Sequence, residues 1–554
     1  MKRYWHFVLP TFIILLFSLV AGQKLFSPQF YTTHDGGGHV IRMEEFNLAF
    51  SDGQFPVRIA KRINYGLGYP FFHFNYPMVY YLGELLYRLG FTFVGGFKFL
   101  MFISLIAGSL GMYAYARYFF TTIPGVIVGL FYLFVPYRFL NMYVRGSVAE
   151  MAGLAVLPWV LFSTEYFLRT KKSTPFIVSL AVLVLTHNIT ALIGGIVIST
   201  YFLFRLMLVK KKERSGYLLR FFCAGITALL LTFFFWVPAI YDSRLTKLSE
   251  LREDFRGHFP SLSELIYSPW GFGSWKEGTF PGKMSPQIGL IHLLAGAVGL
   301  VALGNRLIKV HKNRRNYKTI DHVAIFYIFM SAVLLFLSLG WSRPLWEAAP
   351  GLQAVQLPWR FVGYIVLCLS VIAGYAVSHL HRYQIAAAVI LVGLALYANR
   401  NHIRVNMYID HVSPFIESEV YGPSTTSKDE HMPRLAPRIY QAPNPDGDIL
   451  PSDAGTSIRE IWKSNYHFFS VDARLPLEFR DNTSFFPGWI AYIDGVRTPV
   501  LYERDEYRRL RVTVPEGEHQ IEFRFTEPLS RQIVNAISLM TLGVFIAYTV
   551  MKGK

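Results

Sequence analysis

The sequence predicts a polytopic α-helical membrane protein of about twelve transmembrane helices, with a β-sandwich-like domain before the last helix. Three observations carry this. Of 554 residues, 53% are hydrophobic and only 16% charged, and the apolar residues gather into uncharged runs long enough to cross a bilayer. The connections on one side of these runs are basic. The polar stretch from 400 to 530 contains segments that alternate apolar and polar residues, the period of half-buried strands.

A soluble enzyme is excluded by the same composition. The formal net charge of +18 would suit a nucleic-acid partner, but Lys and Arg sit mostly in short connections between apolar segments, where they orient spans. No nucleic-acid motif is present. Cys223 and Cys368 both lie inside apolar runs, so the chain carries neither a disulfide framework nor a CxxC metal site.

In chain order, residues 1–26 hold the first helix, an apolar run at 6–22 behind Lys2 and Arg3. Ala21-Gly22 would suit a signal-peptide cleavage point, but an uncleaved first helix fits the topology better. The basic start puts the N-terminus in the cytoplasm and the loop 27–97 on the outer face. Further spans are expected at 98–118, 121–138, 147–168, 174–187, 190–209, 218–241, 286–306, 321–340, 360–380, 383–399 and 531–550. The bundle therefore occupies 98–400, with a large outer loop at 242–285, and a cytoplasmic tail ends the segment 531–554. The connections 169–172, 210–214 and 311–315 and the tail 552–554 are all basic and all fall on the inside. No internal repeat is evident.

Within the first loop, Val40, Met43, Asn47 and Phe50 share one helical face and Arg42, Glu44 and Glu45 another, so 40–51 reads as a helix in the interface, its charged face toward water. The aromatics of Tyr65-Gly66-Leu67-Gly68-Tyr69-Pro70-Phe71-Phe72-His73-Phe74-Asn75-Tyr76-Pro77 suit an interfacial belt. In the outer region 401–530, Pro423 to Ser452 reads as an exposed linker. The runs Phe468–Phe479, Gly488–Gly495, Leu510–Val514 and His519–Phe525 read as strands, with Asp494-Gly495 and Glu516-Gly517 as turns.

The candidate site begins at His34-Asp35-Gly36-Gly37-Gly38-His39, a carboxylate flanked by imidazoles, then glycines that let backbone approach a ligand. Alone it also suits a solvated turn. Three other polar groups fall at outer ends of spans, where ionisable side chains face a cavity or each other. Arg145 and Glu150 open one span, as an ion pair or a lipid-phosphate contact; His187 stands at the turn of two apolar segments, where a carbonyl-bonded neutral imidazole is the structural alternative; Arg360 starts another span, as an end anchor or a ligand contact. Together they would line a cationic, carboxylate-bearing cavity.

The combination HDGGGH (34–39), YGLGYPFFHFNYP (65–77), YVRGSVAE (143–150), LTHNITAL (185–192) and LPWRF (357–361) resembles the bacterial membrane family labelled 6-pyruvoyl-tetrahydropterin-synthase-related. The ending FFPGWIAYIDG (485–495) with VPEGEHQIEFRF (514–525) is similar to the last outer domain of YfhO-like membrane proteins. The order of first span, outer loop with an acid, interfacial helix, further spans and outer domain resembles the GT-C membrane glycosyltransferases.

That resemblance implies sugar transfer from a polyprenyl-phosphate-linked donor to a glycan, lipid or protein acceptor on the outer face of the cell membrane. It maps the catalytic base or metal ligand onto Asp35. His34 stands where the commoner pattern has a second acid. His34 and His39 would orient Asp35, or Asp35 and His39 would share a divalent metal ion. Arg145 and Arg360 would hold the donor phosphate, with Glu150 and His187 beside them. Trp270, Trp275, Glu253 and Asp254 of the large loop, together with the β-domain, would meet the acceptor. The alternatives are a transporter or flippase of lipid-linked glycan and a non-catalytic cell-envelope scaffold.

Overall fold

The computed structural model describes residues 2–249, 255–274, 282–312, 317–410, 429–437 and 444–553. Glu253, Asp254, Trp275 and residues 423–428 and 438–443 of the Pro423–Ser452 linker lie outside the described residues. The chain divides into two compact units, one of Met1–Gly37, Gly95–Ala228 and Arg252–Asp410, the other of Gly38–Val94, Leu229–Leu251 and His411–Lys554.

Ten helices among the described residues are long and apolar enough to cross a membrane, eleven if the bent pair Thr122–Leu133 and Pro136–Arg145 is one span. The expected segment 174–187 is the shorter apolar helix Thr174–Thr186, below the length of a full span. In the first unit the helix Pro358–Ser378 is the centre of the bundle, with 94% of its apolar window enclosed by protein. Small residues let its neighbours come close, as they do between membrane helices. A Cβ at Gly299 would stand 2.3 Å from Ile372, and one at Gly374 the same distance from Val128.

The bent pair breaks where its sequence does. Pro136 opens a single helical turn, Pro136–Phe139, and Leu140–Arg145 then winds as a π-helix. Gly146 ends it in the left-handed region at φ 69°, a conformation glycine adopts without steric cost. The two-residue strands β1 (Phe30–Tyr31) and β2 (Tyr408–Ile409) pair antiparallel in this unit.

The second unit holds the span Leu529–Met551 and a β region of strands β3 (Asp448–Leu450), β4 (Gly455–Trp462), β5 (Tyr466–Ala473), β6 (Leu477–Ser484), β7 (Trp489–Ile493), β8 (Val496–Thr498), β9 (Arg509–Val514) and β10 (Gly517–Phe525). They form a five-stranded sheet ordered β4-β5-β10-β7-β8 and a three-stranded sheet ordered β3-β6-β9. Phe469, Val471, Phe479, Trp489, Val512, Ile521 and Phe523 fill one shared core. Their period-two spacing is the alternation seen in the sequence. Arg474-Leu475-Pro476 splits the run from Phe468 to Phe479 into β5 and β6. Asp494 and Gly495 link β7 to β8 with φ of 51° and 78°, the two positive values of a type I′ hairpin turn.

Two expectations for the first loop are corrected. The helix runs Gly36–Ser51, and its charged face is not toward water: Glu45 is fully buried, accepting the Arg62 amide at 2.9 Å and Arg62 Nε at 2.6 Å, while Glu44 lies 3.1 Å from the same guanidinium. A buried carboxylate needs such a partner. The aromatics of 65–77 are for the most part not a lipid-facing belt. Tyr69, Phe71, Phe72 and Phe74 are buried inside the protein, and Phe74 joins the core of the β region.

In this unit His73 donates from Nε2 to Asp242 at 2.8 Å, and Arg531 donates from Nε to the same oxygen at 3.0 Å. Arg58 donates to Glu527 at 2.9 Å. Burial pushes the His73 imidazole down to about 3 against the opposing hydrogen bond to Asp242, with Arg58 and Arg531 adding to the fall.

Candidate active site

The break in the bent pair creates the site. A π-turn and a left-handed residue leave carbonyls without helical acceptor roles, and the segment before the Gly36–Ser51 helix supplies the missing donors. Tyr31 donates its hydroxyl to the Met142 carbonyl at 3.0 Å; the His34 amide donates to Val144 at 3.0 Å and the Asp35 amide to Arg145 at 2.7 Å. Asp35 is thereby fixed through its backbone beside Arg145. The fit depends on two glycines: a Cβ at Gly146 would stand 2.7 Å from the Gly36 nitrogen, and one at Gly36 would stand 2.3 Å from Thr33 Oγ1.

Behind Asp35 lies a buried ion cluster. Glu150, in the first turn of the helix Val148–Thr170, accepts Arg145 Nη1 at 2.8 Å, the Tyr137 hydroxyl at 2.5 Å and Asn141 Nδ2 at 3.3 Å. Arg145 also donates to Asn141, and its guanidinium lies 4.8 Å from the Trp359 ring centroid. Arg360, in the first turn of the central helix, sits with Nε 3.7 Å from Glu150. Its Nη1 donates to the Val355 carbonyl and to Gln356, each at 2.9 Å, while Nε is buried with no hydrogen-bond acceptor among the described residues. The Asp35 carboxylate interacts electrostatically with both guanidiniums. Two cations and two carboxylates thus share one place, with Asp35 exposed and Glu150 buried.

His187 belongs to the same cluster through the charges of Glu150, Arg145 and Arg360. It caps the helix Asn188–Met207 by accepting the Thr190 amide at Nδ1, 3.2 Å away, rather than bonding a carbonyl from that nitrogen; a neutral ring then carries its proton on Nε2. His34 donates Nε2 to the Phe272 carbonyl at 2.7 Å. His39 belongs to the second unit, where Nδ1 lies 3.1 Å from the Tyr80 hydroxyl. Among the described residues no group of three or more His, Cys, Asp or Glu is arranged to hold a metal ion.

Of the candidates, the structure brings Asp35, Arg145, Glu150, His187 and Arg360 together. Tyr137, Asn141, Trp359 and Gln356 complete the cluster and were not singled out by sequence; the one signal was the position of Asn141 four residues before Arg145 and of Trp359 beside Arg360. In the large loop, Trp270 packs against His402, ring centroids 4.5 Å apart.

Several solved structures are similar to the chain. Arabinofuranosyltransferase AftD from mycobacteria aligns at 13% identity and a TM-score of 0.45, over 75% of this chain and 28% of AftD. ArnT from Cupriavidus metallidurans, bound to undecaprenyl phosphate, aligns at 13% identity and a TM-score of 0.31, over 67% of this chain and 78% of ArnT. The oligosaccharyltransferase AglB from Archaeoglobus fulgidus, in complex with an inhibitory peptide and a dolichol-phosphate, aligns at 15% identity and a TM-score of 0.34, over 73% of this chain and 56% of AglB. The chain therefore spans little more than a quarter of AftD and about half of AglB. No curated protein matches it. A family model described as the 6-pyruvoyl-tetrahydropterin synthase related domain, a membrane protein, matches residues 72–407, which include Arg145, Glu150, His187 and Arg360 but not Asp35. With more than half of its length matched, the chain belongs to this family of membrane proteins.

Proposed function

We propose that the protein is a GT-C-type glycosyltransferase that moves a sugar from a polyprenyl-phosphate-linked donor to an acceptor on the outer face of the cell membrane, with both termini in the cytoplasm. The observation that carries the reading is the cluster itself: an exposed carboxylate fixed by its own amide beside two guanidiniums, one of which keeps a buried Nε without an acceptor among the described residues. The basic connections at 169–172, 210–214 and 311–315 support the orientation.

In this reaction the acceptor oxygen attacks the anomeric carbon while the bond from that carbon to the phosphate oxygen breaks, and the phosphate leaves with the electron pair. Arg360 Nε offers one donor to the departing phosphate, and Arg145 adds a second cation. Charge developing on the leaving group is thereby stabilised by two largely buried guanidiniums. Glu150 keeps the two guanidiniums from repelling each other before the donor arrives. Asp35 takes the proton of the attacking hydroxyl, a contribution of about 10² to 10⁴ in rate. His34, held by the Phe272 carbonyl, shapes the loop rather than the proton path.

The test is sugar transfer from a polyprenyl-phosphate donor in proteoliposomes, with the native chain, Asp35→Asn and Arg360→Gln, each with and without chelator. Transfer lost in both variants and retained with chelator is expected. Transfer unchanged in Asp35→Asn, or movement of the donor between leaflets without transfer, would overturn the reading.

A further inference from the structure

The first unit also carries a cleft of about 340 Å³ lined by Arg256, Gly257, Phe259, Pro260, Ser261, Glu264, Lys283 and Gly340. That is near the lower end of the range for ligand sites, enough for a short stretch of chain. Two routes connect it to the residues discussed above. On one wall, Phe259 meets Trp346 edge to face with centroids 5.7 Å apart, and Trp346 meets Phe361 at 6.0 Å; Phe361 follows Arg360 directly. On the other wall, Lys283 bridges to Gly273, which follows Phe272, the residue whose carbonyl holds His34.

We infer that this cleft is the acceptor subsite and takes an uncharged, hydroxyl-rich glycan. The inference rests on the transferase reading above. Every charge on the rim already has an opposite partner, Arg256 with Glu347 at 3.1 Å and Lys283 with Glu264 at 3.3 Å. An anionic ligand would have to break a pair, whereas hydroxyls can share donors and acceptors that the pairs leave accessible. The Phe259 ring, held in place by Trp346, supplies a fixed apolar facet of the kind that meets the C–H face of a sugar ring while its hydroxyls reach Ser261, Glu264 and Lys283.

The experiment uses the full chain in lipid nanodiscs and saturation-transfer NMR with neutral hexose and pentose oligosaccharides, a uronic-acid oligosaccharide and a panel of peptides. Two variants report on the cleft. Phe259→Ala removes the facet; Gly257→Trp fills the space from a position where an added Cβ meets nothing within 4 Å, which keeps the test valid if the first variant folds poorly. Neutral oligosaccharide binding is expected to weaken about tenfold in Phe259→Ala and to be lost in Gly257→Trp, with polyprenyl phosphate binding unchanged in both. No saturable binding of a neutral oligosaccharide, binding insensitive to Gly257→Trp, or preferential binding of the acidic oligosaccharide or a peptide there would overturn the inference. Its failure is separable from that of the transferase reading. Absent glycan binding with transfer intact removes only the cleft, and glycan binding with no transfer from any donor removes only the reaction.

Discussion

Replacing Glu150 by Gln is the sharpest perturbation of the cluster, because it keeps the shape and deletes the charge between two guanidiniums. Native Glu150 accepts Arg145 at 2.8 Å and Tyr137 at 2.5 Å and sits 3.7 Å from Arg360. In Glu150→Gln one charge-assisted hydrogen bond is lost, worth about 1.5–3 kcal/mol, and the new amide turns either a carbonyl or an N–H toward cations it cannot neutralise. Removing one partner of a buried pair costs about 3–5 kcal/mol in all, and a loss near 3 kcal/mol is expected here because Asp35 still faces both guanidiniums. The assay is the free energy of unfolding in a mixed-detergent titration, with and without polyprenyl phosphate. The phosphate restores the missing negative charge, so its stabilising effect should be larger in Glu150→Gln than in the native protein. A variant as stable as the native chain, or one that gains no more from polyprenyl phosphate, would refute the reasoning.

Other outcomes follow from the same geometry. Asp35→Asn, an exposed partner of the two guanidiniums, should change unfolding free energy by no more than about 1 kcal/mol while lowering sugar transfer about 10²- to 10⁴-fold; a larger loss of stability would show a structural role instead. Gly146→Ala forces a side chain into φ 69° and against Gly36, and should cost about 1 kcal/mol or more and reduce transfer by shifting Asp35, measured as a lower kcat with a preserved fold. Stability should fall with acidification through His73: the folded imidazole stays neutral to about 3, while the unfolded one binds a proton below about 6.5. Its contribution is therefore complete above about 6.5 and is lost as pH falls toward 3, at about 1.4 kcal/mol per pH unit. His73→Gln should flatten that slope, read from unfolding titrations between about pH 6 and 4.5.

Hydropathy made the spans legible, because a bilayer imposes length and composition on each helix separately. The β strands were legible for a similar local reason: alternation in Phe469, Val471 and Phe523 is a property of each strand alone. What failed were statements about which face a residue shows. Glu45 looked solvated because its partner Arg62 is seventeen residues away and nothing in the helix announces it. The aromatics from Tyr69 to Phe74 looked interfacial because composition does not distinguish a lipid boundary from a protein core. At the candidate site, Arg145, Glu150 and Arg360 stood out since charge at membrane depth is costly wherever it occurs. Tyr137 and Gln356 did not, because they are ordinary residues until the fold gives them a carboxylate or a guanidinium to bind. The cleft residues Phe259 and Lys283 carried no local signal either.

The π-helix Leu140–Arg145 has an evolutionary corollary. A winding of this kind differs from a regular helix by one residue in register, and one residue turns a regular helix by about 100°. A single-codon deletion between 140 and 145 would therefore leave an apolar span of nearly unchanged length and hydropathy while swinging Arg145 away from Glu150 and withdrawing the carbonyl that anchors Asp35. Descendants that had lost the chemistry in this way would still insert and fold as their ancestors do, so in comparing relatives the spacing across this segment, more than the identity of any side chain in it, should separate active lineages from inactive ones.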